Sequence, residues 1–189
     1  MALKSGVADN LLELKHNDYS NTVKSMKIAL STDHAGFEEI KSLEKFLTAK
    51  GHECVNYGPK SLDNADDYPD FIFPAARAVA NGECEVGILW GGSGQGEAMV
   101  ANRVAGVRCA VYYGPATAKR AINAEGDTAQ DDFEILRLSK DHNNANMLSL
   151  AARFLDNTDI ENAVTLWLES PFEGLERHAR RIKKIDEQA

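Results

Sequence analysis

Apolar and polar positions divide the chain at about residue 25. Before it, Leu11, Leu12 and Leu14 lie between polar flanks without a capping signal, so residues 1–25 read as an N-terminal extension, either a docked helix or a mobile tail. From Met26 the pattern becomes regular. Ile28, Ala29 and Leu30 make a short apolar run that ends in Thr32-Asp33-His34-Ala35-Gly36; Phe37, Ile40, Leu43, Phe46 and Leu47 then recur at helical spacing up to Gly51. A second strand is predicted from about Glu53 to Tyr57, closed by Gly58-Pro59. The acidic stretch Asp63 to Asp67 leads through Tyr68-Pro69 into a helix carrying Ile72, Ala75, Val79 and Ala80. A third run, Val86-Gly87-Ile88-Leu89-Trp90, opens into Gly91-Gly92-Ser93-Gly94-Gln95-Gly96. A helix over about Glu97 to Val104, strands over Val107 to Tyr112 and Asn146 to Leu150, and helices near 159–169 and 173–187 complete the prediction.

Strands alternating with helices imply one α/β domain, residues 26–187, built on a parallel sheet covered on both faces. Ligands of such sheets bind beyond the carboxyl ends of the strands, where the Asp33-His34 turn and the glycine loop both fall.

A chain of 189 residues suits one domain with a sizeable core. Its net charge of −8 argues against nucleic acid or an anionic membrane as a partner, but not against a small anion held in a locally basic pocket. Cys54, Cys84 and Cys109 are widely spaced and form no CxxC, which speaks against a disulfide framework or a cysteine zinc site. No apolar run approaches the ~20 residues of a membrane span, and the N-terminus lacks the apolar segment of a secretion signal. The expectation is a soluble cytoplasmic protein.

Four glycines in the six residues from Gly91 to Gly96 let backbone amides approach a ligand closely, at a helix N-terminus that favours anions. Familiar motifs fail on spacing. A dinucleotide fingerprint begun at Gly92 would need glycine where Glu97 stands, a phosphate-binding P-loop would need Gly-Lys-Ser/Thr, and a nucleophile elbow on Ser93 would need glycine at Gln95. The loop reads as an oxyanion or phosphate cradle; a turn serving packing alone is the plain alternative. Glu97 is either a dipole-stabilising residue of the first helical turn or a general base facing the ligand. The dipole would lower its pKa and burial would raise it.

Asp33 and His34 sit at a strand exit, where Asp33 also suits a helix cap. His142-Asn143-Asn144 precedes the fifth strand and lies in a loop. Arg177 and Arg181, at i and i+4, share a helical face that suits a phosphate, although a solvated basic face has the same pattern. Arg153, just past the fifth strand, is a further cation able to converge on an anion.

Together these segments resemble one family, the ribose-5-phosphate isomerase B enzymes and their relatives, the galactose-6-phosphate isomerase subunits. The resemblance is carried by Thr32-Asp33-His34-Ala35-Gly36-Phe37, Asp67-Tyr68-Pro69, Gly92-Ser93-Gly94-Gln95-Gly96-Glu97, Ala101-Asn102-Arg103, His142-Asn143-Asn144-Ala145-Asn146 and Arg177-His178-x-x-Arg181. These stand in the family's order over about residues 26–186, apart from one internal stretch. The resemblance implies a three-layer α/β/α sandwich on a five-stranded parallel, Rossmann-like sheet. It also implies active sites shared across a homodimer or dimer of dimers, a sugar phosphate as substrate, and no metal or other cofactor. Carried over by position, it implies that Asp33 and Tyr68 contact the sugar and that His142 assists ring opening. Ser93 and the loop amides around Gly92, Gly94 and Gly96 would hold the enediolate oxygen, with Asn143 as a further sugar contact. His34, Arg153, Arg177 and Arg181 correspond to the phosphate-binding set, some of them lent by the partner subunit.

One departure bears on mechanism. Many members of the family carry a base cysteine just after the third strand, where this chain has Gly91; another subgroup uses a glutamate after the last glycine of the loop, which Glu97 matches. Glu97 is therefore the expected base for moving a proton between C2 and C1, and none of the three cysteines is required. A metal-assisted hydride shift would need a cluster of carboxylates and histidines, and the sequence displays no convincing one. A polar, acidic insertion at about residues 116–134 borders the sugar site; an extra helical hairpin near a dimer interface or the pocket mouth is one form it can take. The insertion and the large Trp90 bear on which sugar is accepted. Ribose 5-phosphate leads, with allose 6-phosphate or galactose 6-phosphate as six-carbon variants. A non-catalytic sugar-phosphate-binding subunit is the next reading, and a nucleotide-binding or signalling domain, disfavoured by the failed fingerprints, is the third.

Overall fold

The computed structural model describes residues 24–188, so the extension at residues 1–25 falls almost wholly outside the described residues. The chain runs through β1 (Lys27–Thr32), α1 (Glu39–Ala49), β2 (Glu53–Asn56), α2 (Pro69–Ala80), β3 (Val86–Gly91) and α3 (Gln95–Ala101). It continues through β4 (Cys109–Tyr112), α4 (Glu134–Asp141), β5 (Met147–Ala151), α5 (Asn157–Glu169) and α6 (Glu176–Asp186). All five strands are parallel, in the order β2-β1-β3-β5-β4.

Both faces of the sheet are covered, which is why its strands read as continuous apolar runs rather than alternating ones. Ile28 and Leu30 of β1, Ile88 and Trp90 of β3, and Leu148 and Leu150 of β5 pack against Leu43 and Leu47 of α1, Leu136 of α4 and Trp167 of α5. On the other face, Ala29, Leu89 and Met147 meet Ile72, Ala76 and Val79 of α2 and Ala101 of α3. The result is the three-layer α/β/α sandwich. Because α1 and α3 leave their strands toward opposite faces, a crevice opens between the carboxyl ends of β1 and β3.

Most boundaries shift by one to three residues from the sequence prediction, and the third helix and the stretch before the fifth strand differ most. The third helix begins at Gln95, since Gly94 takes a left-handed φ of +70° that turns the chain into it. It ends at Ala101, because the Asn102 amide bonds both Cys109 N at 2.8 Å and Cys109 O at 3.0 Å and ties the chain to β4. Helix α4 was hidden in what reads as a polar stretch, since only Glu134 and Leu136 of its eight residues are buried. The preceding segment, 113–133, holds no helix or strand, in place of a helical hairpin. Its base is closed by Ala116 N donating to Asp132 O at 2.7 Å and Thr117 Oγ1 bonding Asp132 Oδ1 at 2.7 Å. Among the described residues no helix is long and apolar enough to cross a membrane.

Candidate active site

The turn after β1 is shaped by two aspartates. Asp33 is buried and accepts from Ala35 N at 2.9 Å, capping a single 3-10 turn. Asp66 Oδ1 takes both the main-chain N–H of His34, at 3.1 Å, and its ring Nδ1, at 2.6 Å. This contact raises the imidazole's affinity for a proton above the ordinary value, with Asp33 adding and Arg153 opposing. The bond to Nδ1 orients the ring and leaves Nε2 free to meet an anion.

The glycine loop after β3 is tight because other groups fill the places of its missing side chains. A Cβ on Gly91 would lie 2.1–2.3 Å from the Glu97 carboxylate, one on Gly92 3.1 Å from the Arg153 guanidinium, and one on Gly96 2.9 Å from the Tyr68 hydroxyl. Gly94 O accepts from Ser149 Oγ at 2.7 Å, which clamps the loop to β5. Arg153 N donates to Gly92 O at 3.2 Å. Ser93 is exposed, and its hydroxyl accepts from the Gln95 amide at 3.4 Å. Asp33, His34, Tyr68, Glu97 and Arg153 thus gather around the glycine loop that carries Ser93.

Glu97 is 6% exposed. Burial raises its proton affinity above that of an ordinary glutamate; its own N–H partly offsets this and Asp33 adds to it. Between the two influences weighed from sequence, burial outweighs the helix terminus. The nearby Cys109 thiol is held far above the usual range by burial and by Glu97, so it stays protonated and is a poor nucleophile.

The remaining predicted residues form a second group. His142 closes α4, and its ring meets that of His178 edge-on, with centroids 4.1 Å apart. Arg177 Nε donates to His178 Nε2 at 3.0 Å, which requires Nδ1 of that ring to carry the hydrogen and donate to Asp141 O at 3.2 Å. Burial, His178, Arg177 and Arg181 together lower the proton affinity of His142, against the pull of Asp141, so this imidazole is neutral at neutral pH. Asn143 O accepts from Arg108 Nε at 3.0 Å, at the amino edge of β4, while the Asn143 side chain is exposed.

The two groups lie at opposite ends of the sheet. The first caps the carboxyl ends of β1, β3 and β5, and the second stands just ahead of β5. The five residues of β5 alone separate them by about 13 Å at ~3.3 Å per residue. One chain therefore does not unite Glu97 with His142, nor His34 and Arg153 with Arg177 and Arg181.

Residues 28–127 and 128–185 match the model of the family described as Ribose/Galactose Isomerase. The chain belongs to the ribose/galactose isomerase family. It is 31% identical to ribose-5-phosphate isomerase B of Mycobacterium leprae over 165 residues, covering 87% of this chain and 91% of that one. The fold is similar to that of ribose-5-phosphate isomerase B from Clostridium thermocellum, with a TM-score of 0.73 at 34% identity, covering 86% of this chain and 97% of that one. It is likewise similar to the Mycoplasma genitalium enzyme solved with bound ribulose-5-phosphate, with a TM-score of 0.72 at 34% identity, covering 86% of this chain and 95% of that one.

Three further features separate this family member from its sequence reading. Trp90 is buried beneath the His34 turn, its ring packed where Gly36 lacks a side chain, and so does not line the crevice. The fold also assembles two carboxylate–histidine triads, Asp33-His34-Asp66 and Asp141-His142-His178, where the sequence displayed none. In the first, Asp66 already engages His34 Nδ1, and in the second both ring nitrogens of His178 are engaged, by Arg177 and by Asp141 O. Arg153 near the first and Arg177 beside the second supply a positive charge that favours an anion. Finally, sequence reasoning missed Asp66 and His178 as supports. His178 carried a legible signal, since it stands four residues before the buried Ile182 on α6; the pairing of Asp66 with a residue 32 positions away carried none.

Proposed function

We propose that this chain interconverts an aldose phosphate and a ketose phosphate, ribose 5-phosphate and ribulose 5-phosphate in the first instance. The reaction proceeds by proton transfer through an enediolate, in a site completed by a second copy of the chain. The observation that carries this reading is the Glu97 carboxylate, buried against the bare backbone of Gly91 and beside a loop of amides.

Glu97, its proton affinity raised by burial, takes the C2 proton and returns it to C1, while the hydroxyl proton on O2 passes to O1 so that the C2 carbonyl forms. Ser93 and the amides of Gly92, Gly94 and Gly96 stabilise the oxyanion that develops as the proton leaves. Asp33 and Tyr68 hold the sugar hydroxyls. His142, neutral and able both to accept and to donate, opens the furanose ring, and Asn143 holds a hydroxyl beside it. The phosphate lies between His34 and Arg153 of one copy and Arg177 and Arg181 of the other. Since the two groups lie at opposite ends of one sheet, a homodimer (alone or paired as a dimer of dimers) brings both to each site. The route needs no metal, and the unpaired Cys54, Cys84 and Cys109 fit a reducing cytoplasm.

Loop 113–133 supports a second substrate reading. Ile122 and Asn123 share a cavity of about 250 Å³ with His142, and a wall placed there selects sugar length, which keeps allose 6-phosphate and galactose 6-phosphate in competition. Turnover of the three sugar phosphates, with and without chelator, tests the proposal. Chelator-resistant turnover of one of them supports it, and silence on all three in a folded dimer defeats it in favour of a binding subunit.

A further inference from the structure

Arg177 is held from two sides. Its Nε is engaged by His178, a buried ring fixed in turn by Asp141 O, so the guanidinium is aimed from below. Its Nη1 is met at 3.2 Å by Oε1 of Glu125. Glu125 lies 52 residues away in sequence, at the tip of loop 113–133, and the two matched segments of the family model meet inside this loop, between residues 127 and 128.

The tip is built to deliver that carboxylate. Ile122 N donates to Asp127 O at 2.9 Å, Asn123 Nδ2 to Asp127 Oδ2 at 2.7 Å, and Asp127 N to Asn123 Oδ1 at 3.0 Å, closing a six-residue ring of chain with Glu125 at its apex. Gly126 takes a φ of +90°, a left-handed turn that suits glycine. A carboxylate presents to a guanidinium the same pair of oxygens that a phosphoryl group does.

We infer that Glu125 is a built-in competitor of the substrate's phosphate: it occupies Arg177 when the site is empty, must leave when the sugar phosphate binds, and so sets the affinity of this chain for its substrate. The inference rests on the assignment of Arg177 to the phosphate. Both partners are partly exposed, at 39% and 54%, so the pair is weak enough for a dianion to displace.

The test compares wild type, Glu125→Gln, Arg177→Ala and the double variant, by KM and kcat on the sugar phosphate turned over and by calorimetric binding of inorganic phosphate. Glu125→Gln should lower KM and the phosphate dissociation constant about threefold, the scale of one exposed ion pair, with kcat within about twofold of wild type. Loss of contacts alone does not tighten binding, so a merely structural role for Glu125 would not give this gain. In the Arg177→Ala background the same substitution should change nothing. A threefold gain that persists without Arg177 would mean general charge repulsion and overturn the inference. So would an unchanged or raised KM in Glu125→Gln beside a raised KM in Arg177→Ala, which leaves the phosphate assignment standing. An unchanged KM and phosphate affinity in Arg177→Ala would overturn the phosphate assignment itself, and the inference with it.

Discussion

The Glu97 carboxylate occupies the space that a side chain on Gly91 would fill, within 2.3 Å of the missing Cβ. The proposed base and a bare backbone position are therefore complementary in shape, and neither can change alone. Glu97→Gln keeps the shape and removes the base, so kcat should fall about 10²–10⁴-fold while sugar-phosphate binding persists. Gly91→Ala should displace the carboxylate and lower kcat by a similar order, with KM little changed. As the proposed base Glu97 would work deprotonated, and burial raises its proton affinity, so turnover should fall on the acid side with a midpoint above the ordinary glutamate value of 4.5. Steady-state kinetics across pH check all three, and a Glu97→Gln variant with wild-type kcat would remove Glu97 as the base.

On the proposed assignment of His34 to the phosphate, Asp66 would act on that phosphate through His34. The raised proton affinity of His34 keeps its charge present below the ordinary value of 6.5 and carries it above, so KM should stay low there and rise once pH passes the elevated value. Asp66→Asn removes the largest cause of that elevation, so the rise in KM should begin at lower pH while kcat at saturation is retained. A pH profile of KM unchanged by the substitution would show that Asp66 merely supports the loop.

Separation of the two groups predicts complementation. Glu97→Gln and His142→Ala should each be nearly inactive alone. In a mixed dimer both defects fall in one site and the other is intact. Random reassortment of equal amounts should recover about a quarter of wild-type activity, since half of the dimers are mixed and each carries one good site. Assay of co-expressed, differently tagged chains measures this, and no recovery in isolated mixed dimers would place Glu97 and His142 outside a shared site.

Lys140 is half-buried on α4, its ammonium 4.3 Å from the Trp167 ring centroid and donating to Ala145 O at 3.1 Å. Burial, with Arg108 adding, pushes its pKa down from 10.5 to about 8. The unfolded chain thus binds the proton more tightly between these values, and the sign follows: stability rises with pH from about 8 toward 10.5. Lys140→Met should remove this slope and stabilise the protein at pH 7 by about 1–2 kcal/mol, offset in part by the lost hydrogen bond. Denaturant unfolding at pH 7 and 10 checks both.

Periodicity alone determined the parallel sheet, because strands buried on both faces leave continuous apolar runs and their helices leave stripes such as Ile40-Leu43-Leu47. Spacing placed the Asp33-His34 turn, the glycine loop and Glu97 at strand ends, and these are local features of the chain. Three things were decided only by tertiary structure. Glu97's protonation behaviour depends on how deeply α3 buries it against Gly91, which no local signal encodes. The bonds of His34 to Asp66 and of Arg177 to Glu125 join residues 32 and 52 positions apart, brought together by loops without a period. The division of the expected site into two groups follows from the direction of α4, which carries His142 back to the start of β5. A sequence lists which residues are present, but the path of the chain through space decides which of them can meet.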